Sequence, residues 1–184
     1  VLTADLTGMA GYISSVNVSL DLSGGFNGDL YAYLVGPDGG FAVLLNRVGM
    51  GDNANPFGYS DSGMNVTFSD TAANDIHNYQ NVPSYSLDGT TWQPDGINID
   101  PQSSPAAFLS AGQTAMLGSF ENDDPNGTWT LFLADLSPGG QSTVAGWGLD
   151  ITTVPEPSTW ALLICGSLIF ARRILAGGSR KKIA

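Results

Sequence analysis

Seventeen acidic residues stand against six basic ones in this 184-residue chain, and the acids collect in loops between apolar runs. Asp52, Asp61 and Asp70 surround the alternating stretch Met64–Phe68, and Glu121, Asp123, Asp124 and Asp135 surround Trp129–Ala134. Oxygen-rich loops of this kind suit Ca²⁺, which takes six to eight carboxylate, amide and carbonyl oxygens. No contiguous D-x-D-x-D-G loop is present, so a site would have to be assembled from distant segments. The alternative is a solvated acidic surface whose aspartates cap turns.

Catalytic chemistry has less to work with. A Ser-His-Asp triad would need His77, the only histidine, yet no G-x-S-x-G elbow presents a serine. His77 therefore reads as an exposed loop residue. One histidine and the single Cys165 cannot build a zinc ligand set, and an acidic surface produces glycosidase-like carboxylate pairs by chance. Tyr59, Tyr79, Tyr85 and Trp92 lie in loops on either side of Met64–Phe68. Aromatic rings beside Asn and Asp could bind sugars by stacking and hydroxyl hydrogen bonds, or fold back as lids on a core.

The elements that would carry these side chains are strands. Val16, Val18, Leu20 and Leu22 alternate with Asn17, Ser19 and Asp21, as in a strand with one wet face. Asp29–Gly36 is apolar on both faces and reads as a central strand. Gly36-Pro37-Asp38-Gly39-Gly40 then turns the chain into Phe41–Leu45 as a hairpin partner. Met64, Val66 and Phe68 mark a further strand, Thr90–Gln93 a short one, and Val1–Gly11 an edge strand. Arg47–Ser62 reads as a polar loop and Ser69–Pro105 as an irregular surface segment; Pro105–Phe120 fits either a helical turn or a short strand. Trp129, Leu131 and Leu133, then Trp147, Leu149 and Ile151, alternate on either side of Pro138-Gly139-Gly140 and predict a late hairpin. Seven or eight short strands separated by turns, with 24 glycines and 10 prolines, indicate an all-β, antiparallel sandwich.

Charge divides the chain. All seventeen acids fall at or before Glu156, where Arg47 is the only base, so residues 1–157 carry sixteen net negative charges and the tail carries five positive ones. So acidic a surface repels phosphate, and nucleic acid is excluded as a partner. Cys165 lies in the apolar tail, so the domain has no disulfide, which a sandwich of this size does not need. Val stands first and no charged-then-apolar leader precedes the domain; an export leader is expected to have been removed or to lie outside this sequence.

The order F-x₅-N-G-T-W-T-L-x₃-D from Phe120 to Asp135, followed by G-W-x-L at Gly146–Leu149, resembles the closing part of the P domain (P/Homo B domain) of proprotein convertases. V-x-V-x-L-D-L at Val16–Leu22, G-D-L-x₃-L at Gly28–Leu34 and G-P-D-G at Gly36–Gly39 resemble its opening part. The resemblance spans roughly residues 12–153. It implies a jelly-roll arrangement of the sandwich, and it nominates Asp29, Asp124 and Asp135 as calcium ligands or loop organisers.

Beyond the sandwich, Val154-Pro155-Glu156-Pro157 ends the last strand, Trp160–Phe170 is apolar, and Arg172 and Arg173 follow. The apolar run is shorter than the roughly 17 to 25 residues of a spanning helix. Its basic flank favours insertion, with the arginines on the cytoplasmic side. In this order the tail resembles a PEP-CTERM sorting signal of exopolysaccharide-making Gram-negative bacteria, cut near Pro155, Glu156 and Pro157 by the membrane enzyme exosortase. It departs from that pattern by continuing through a second basic cluster, Arg180-Lys181-Lys182.

The sequence thus predicts a P-domain-like jelly-roll sandwich over residues 1–153. A Pro-Glu-Pro linker follows at 154–159, an apolar membrane helix at 160–171 and a basic cytoplasmic tail at 172–184. The expected role is non-enzymatic, at the cell surface or in the extracellular matrix and associated with exopolysaccharide, after an inner-membrane-anchored precursor stage. The alternatives are an accessory P domain presenting a subtilisin-like protease, and a glycan-processing enzyme.

Overall fold

The structure, a computed structural model, describes residues 1–51 and 56–155. Period-two alternation dominates it. β2 (Tyr12–Gly24) turns Val16, Val18, Leu20 and Leu22 inward and fully buries them. Ile13 is out of phase with that set, and the register shift between Ile13 and Ser15 brings its side chain into the core as well. One extra residue in a strand flips the side chains that follow it to the opposite face, which is what this bulge accomplishes.

Eight strands form two four-stranded sheets. The first contains β1 (Leu2–Leu6), β7 (Gly127–Asp135), β3 (Leu30–Val35) and β4 (Phe41–Asn46), in the order β1-β7-β3-β4. The second has the order β6-β5-β2-β8, where β5 is Met64–Phe68, β6 is Asp88–Trp92 and β8 is Ser142–Val154. All pairings are antiparallel except β5 with β6, which run parallel. Between the sheets, Leu30, Ala32, Leu34, Leu44, Trp129 and Leu131 of the first meet Val18, Leu20, Val66 and Phe68 of the second. Trp147, Leu149 and Ile151 add a partly buried row. The fold is all-β, as expected, with β1 at an edge, β3 central and β3–β4 a hairpin.

Three expectations are corrected. β7 and β8 are not a hairpin: they lie in different sheets, and the turn around Pro138-Gly139-Gly140 carries the chain across the sandwich. Alternation identifies a strand's buried face but not its partner, and β8 finds twelve residues of β2 to pair with. Arg47–Ser62 is not simply a polar surface loop, because Val48, Met50 and Tyr59 are buried. Nor does Ser69–Pro105 stay on the surface: Ile76, His77, Tyr79, Trp92 and Asp95 are all buried.

The segment after β6 closes an otherwise open sheet edge. Backbone amides of Asp95 and Gly96 donate to Leu44 and Val43 of β4 at 3.1 and 2.9 Å, and Val43 donates to Ala115 at 2.9 Å. An edge strand covered in this way no longer templates association with another chain. The same segment holds the one-and-a-half-turn helix α1 (Pro105–Ser110), begun by a proline whose missing N–H has no helical role at that position. Phe108 of α1 packs with Met50 and Ile97 into a small second core.

Among the described residues no helix is long and apolar enough to cross a membrane. The expected membrane helix at 160–171, Glu156, Pro157 and the Arg172-Arg173 pair lie outside the described residues.

Candidate functional site

The three aspartates nominated for calcium do not converge. Leu30 pairs with Asp135 in the β3–β7 ladder, which places Asp29 beside Asp135 at one end of β7. Asp124 precedes the other end, and a nine-residue strand spans roughly 30 Å. Their carboxylates are also engaged locally. Asp29 faces the Arg47 guanidinium at 3.8 Å, Asp135 accepts from the Ser137 and Ser142 amides at 3.4 and 3.3 Å, and Asp124 accepts from the Asn126 amide at 2.9 Å. That hydrogen bonding holds the exposed Asp124 carboxyl below its ordinary range. Among the described residues no group of three or more His, Cys, Asp or Glu is arranged to hold a metal ion. The three residues do not fit one calcium ion; Asp124 and Asp135 organise turns, and Asp29 forms an ion pair.

The loop aromatics are corrected likewise. Tyr59, Tyr79 and Trp92 are buried, and Tyr85 alone of the four is exposed. They form one cluster around Tyr79, whose ring centroid lies 4.7 Å from Tyr59, 5.1 Å from Tyr85 and 6.4 Å from Trp92. Rings at these spacings satisfy one another's faces and edges, so they close the end of the sandwich and offer no platform to a sugar. Asp61 ties the cluster to its loop, accepting from Gln80 at 2.8 Å and from the Tyr85 hydroxyl at 2.9 Å. Burial pushes the Asp61 carboxyl up, but the bonds from Gln80, Tyr85 and Tyr79 outweigh it and hold the carboxyl below its usual range.

His77 is the largest departure from expectation, since it is buried rather than exposed. Asp75 accepts from the His77 amide and initiates the 3-10 turn Ile76–Asn81, which points the imidazole inward. There Nδ1 meets Asp95 Oδ2 at 2.8 Å, Nε2 meets the Met50 carbonyl at 3.0 Å, and the ring stacks on Phe108 at 5.9 Å. A carboxylate and a carbonyl both only accept, so both ring nitrogens must donate and the ring is an imidazolium. Burial opposes that charge, but the hydrogen bond and charge of Asp95, with the Met50 carbonyl, raise the pKa to about 9. Asp95 also accepts from the Asn46 amide at 3.0 Å and the Ile97 amide at 3.3 Å. The centre joins β4, the 3-10 turn and the segment covering the β4 edge.

No family model matches this chain, and no curated protein does.

Above the imidazolium lies a cavity of about 400 Å³, walled by Met50, Ile97 and Phe108 and rimmed by Asp75, Asn78 and Gln113. Burial raises the pKa of Asp75, only partly offset by the His77 amide. With both nitrogens committed as donors, His77 has no lone pair with which to act as a general base. Its chemistry is structural. The sequence offered no route to the Asp95–His77 pair, because nothing in the spacing of two residues eighteen apart announces that they meet.

A pH dependence follows. The folded pKa of His77 lies above the ordinary value of 6.5, so its stabilisation is complete below pH 6.5 and disappears as pH rises through about 9. The difference corresponds to roughly 3 kcal/mol. Tyr31 and Tyr79, pushed up by burial from 10.0, titrate above this window. Denaturant midpoints are expected to fall between pH 6.5 and 9.5, and the fall is expected to vanish in His77→Gln. An equal slope in that variant would show that another group titrates.

Proposed function

We propose that the chain is an exported, non-enzymatic jelly-roll module resembling a P domain, sorted through its Pro-Glu-Pro tail and acting at the cell surface in association with exopolysaccharide. The observation that carries this reading is the junction. The last rung of the β2–β8 ladder pairs Tyr12 with Val154, and both Val154 and Pro155 are exposed. The folded domain therefore ends at Val154, one residue before Pro155-Glu156-Pro157, and cleavage at the motif would leave the β2–β8 ladder intact. Pro155, directly after the ladder, also lacks the N–H with which a strand would continue its pairing.

Further support comes from topology and from the histidine. Five of the seven connections between strands cross from one sheet to the other, in keeping with a jelly roll. His77 is a locked cation, in keeping with a role outside catalysis. In this reading 160–171 is a membrane helix that holds the precursor in the inner membrane until exosortase cuts near the motif, and 172–184 stays cytoplasmic.

In a Gram-negative host with an exosortase, the wild-type chain behind an export leader is expected to yield a shortened product outside the inner membrane. Glu156→Ala with Pro157→Ala is expected to leave full-length chain in the inner membrane, read by immunoblot of fractions. Equal processing of both would refute sorting through this motif.

A further inference from the structure

Arg47 is the only lysine or arginine in residues 1–157, and it is held in a left-handed backbone conformation at φ 49°. A non-glycine residue kept in that region persists only where its surroundings fix it. Here they do. The Arg47 amide donates to Leu30 at 2.8 Å, Nε donates to the Gly28 carbonyl at 3.2 Å, Nη2 donates to the Phe57 carbonyl at 3.4 Å, and Nη2 faces Asp29 at 3.8 Å. One guanidinium thus clamps two loops, residues 26–29 and 57–61.

The loops also bind each other. Asn27 donates to the Asp61 carbonyl and Gly28 to the Tyr59 carbonyl, both at 2.8 Å. A Cβ at Gly28 would lie 2.4 Å from the Tyr59 nitrogen, so the backbones meet where only glycine fits. This rigid pair presents two phenylalanines to solvent, Phe26 at 40% and Phe57 at 77% exposure. Both line a pocket of about 160 Å³ with Asp29, Gly58, Tyr59 and Ser60. A void of roughly 150 Å³ holds a six-membered ring.

We propose that this pocket is a glycan subsite for one hexopyranose unit of a neutral polysaccharide. The apolar C–H face of the sugar packs on Phe26 and Phe57, and its hydroxyls donate to the Asp29 carboxylate and exchange hydrogen bonds with Ser60. The formal excess of acids over Lys and Arg across residues 1–157 repels uronate-bearing or sulfated polymers and anionic lipid, and the two exposed phenyl rings beside the Asp29 carboxylate and the Ser60 hydroxyl match the apolar face and hydroxyl edge of an uncharged sugar. Loops fixed before binding lose little freedom on binding. The assignment rests on the exopolysaccharide association proposed above and moves it from the buried Tyr79 cluster to an open pocket.

The test is affinity electrophoresis of the full chain in mild detergent, through native gels containing dextran, mixed-linkage β-glucan or galactomannan, with alginate as the acidic comparison. Wild type is expected to be retarded by at least one neutral polymer and not by alginate. Phe57→Ala is expected to weaken retardation about tenfold with an unchanged melting temperature, because the side chain is exposed, and Phe57→Trp to retain it. If Phe26→Ala and Phe57→Ala run as wild type in a retarding gel, the pocket is wrong while glycan association stands. No retardation by any neutral polymer overturns the pocket, and sorting is still read separately by cleavage at Pro155–Pro157. Binding to phosphatidylglycerol vesicles that is lost in Phe57→Ala would overturn it in favour of a lipid surface.

Discussion

Asp95→Ala is expected to destabilise the domain by roughly 3–5 kcal/mol at pH 6, the range for removing one partner of a buried ion pair. Asp95 is fully buried, and its carboxylate receives the His77 imidazolium and the Asn46 and Ile97 amides. Truncation strands a buried cation and two backbone donors, each of which has left water for this partner. The cation can respond by losing its proton. Without Asp95, burial dominates and the His77 pKa is expected to fall from about 9 to below 6.5. The loss of stability relative to wild type is therefore expected to shrink as pH rises towards 9.5, where wild type has forfeited its own charge pairing. Denaturant unfolding across pH measures the first effect, and histidine chemical shifts measure the second. A variant with wild-type stability at pH 6 would show that the buried Asp95 centre adds nothing net to the fold.

Trp129→Ala is expected to cost roughly 3–5 kcal/mol and to show no comparable pH dependence. Trp129 is fully buried between the sheets, its ring lies 5.0 Å from that of Phe120, and its indole N–H donates to the Pro125 carbonyl at 3.0 Å. Alanine would open a cavity and leave that carbonyl unpaired. A domain of this size has about 5–15 kcal/mol in total, so the variant should be marginal at 37 °C. A shift in thermal midpoint of only a degree or two would place Trp129 outside the core.

Strands were legible in the sequence where one face is buried and the other wet. Val16 to Leu22 and Met64 to Phe68 announce their faces by alternation, and both are strands with those faces inward. Pairing was not legible for β7 and β8. A turn between two alternating segments is compatible with a hairpin or with a crossing between sheets, and the choice depends on partners elsewhere, here β3 and β1 for β7 and β2 for β8. Polar composition misled for Arg47–Ser62 and Ser69–Pro105, because single side chains such as Tyr59 and Ile76 reach the core from segments that are otherwise polar.

The candidate sites divide in the same way. Local hydrogen bonding of aspartates to turn amides was legible from residue type, and Asp124 and Asp135 behave so. Proximity was not legible: Asp29 and Asp135 adjoin while Asp124 lies a strand's length away. The contacts of Arg47 were not legible either: composition marks it as the lone Lys or Arg before the tail but not that its guanidinium would meet two carbonyls and Asp29.

Intact mass spectrometry of the mature protein tests the proposed cleavage at the Pro-Glu-Pro motif most directly. The protein would be recovered from the surface and medium of an exosortase-bearing host. The expected mature chain has its C-terminus at or close to Pro155–Pro157 and lacks the apolar run and Arg172 to Ala184. A mature extracellular chain that still ends at Ala184 would contradict it.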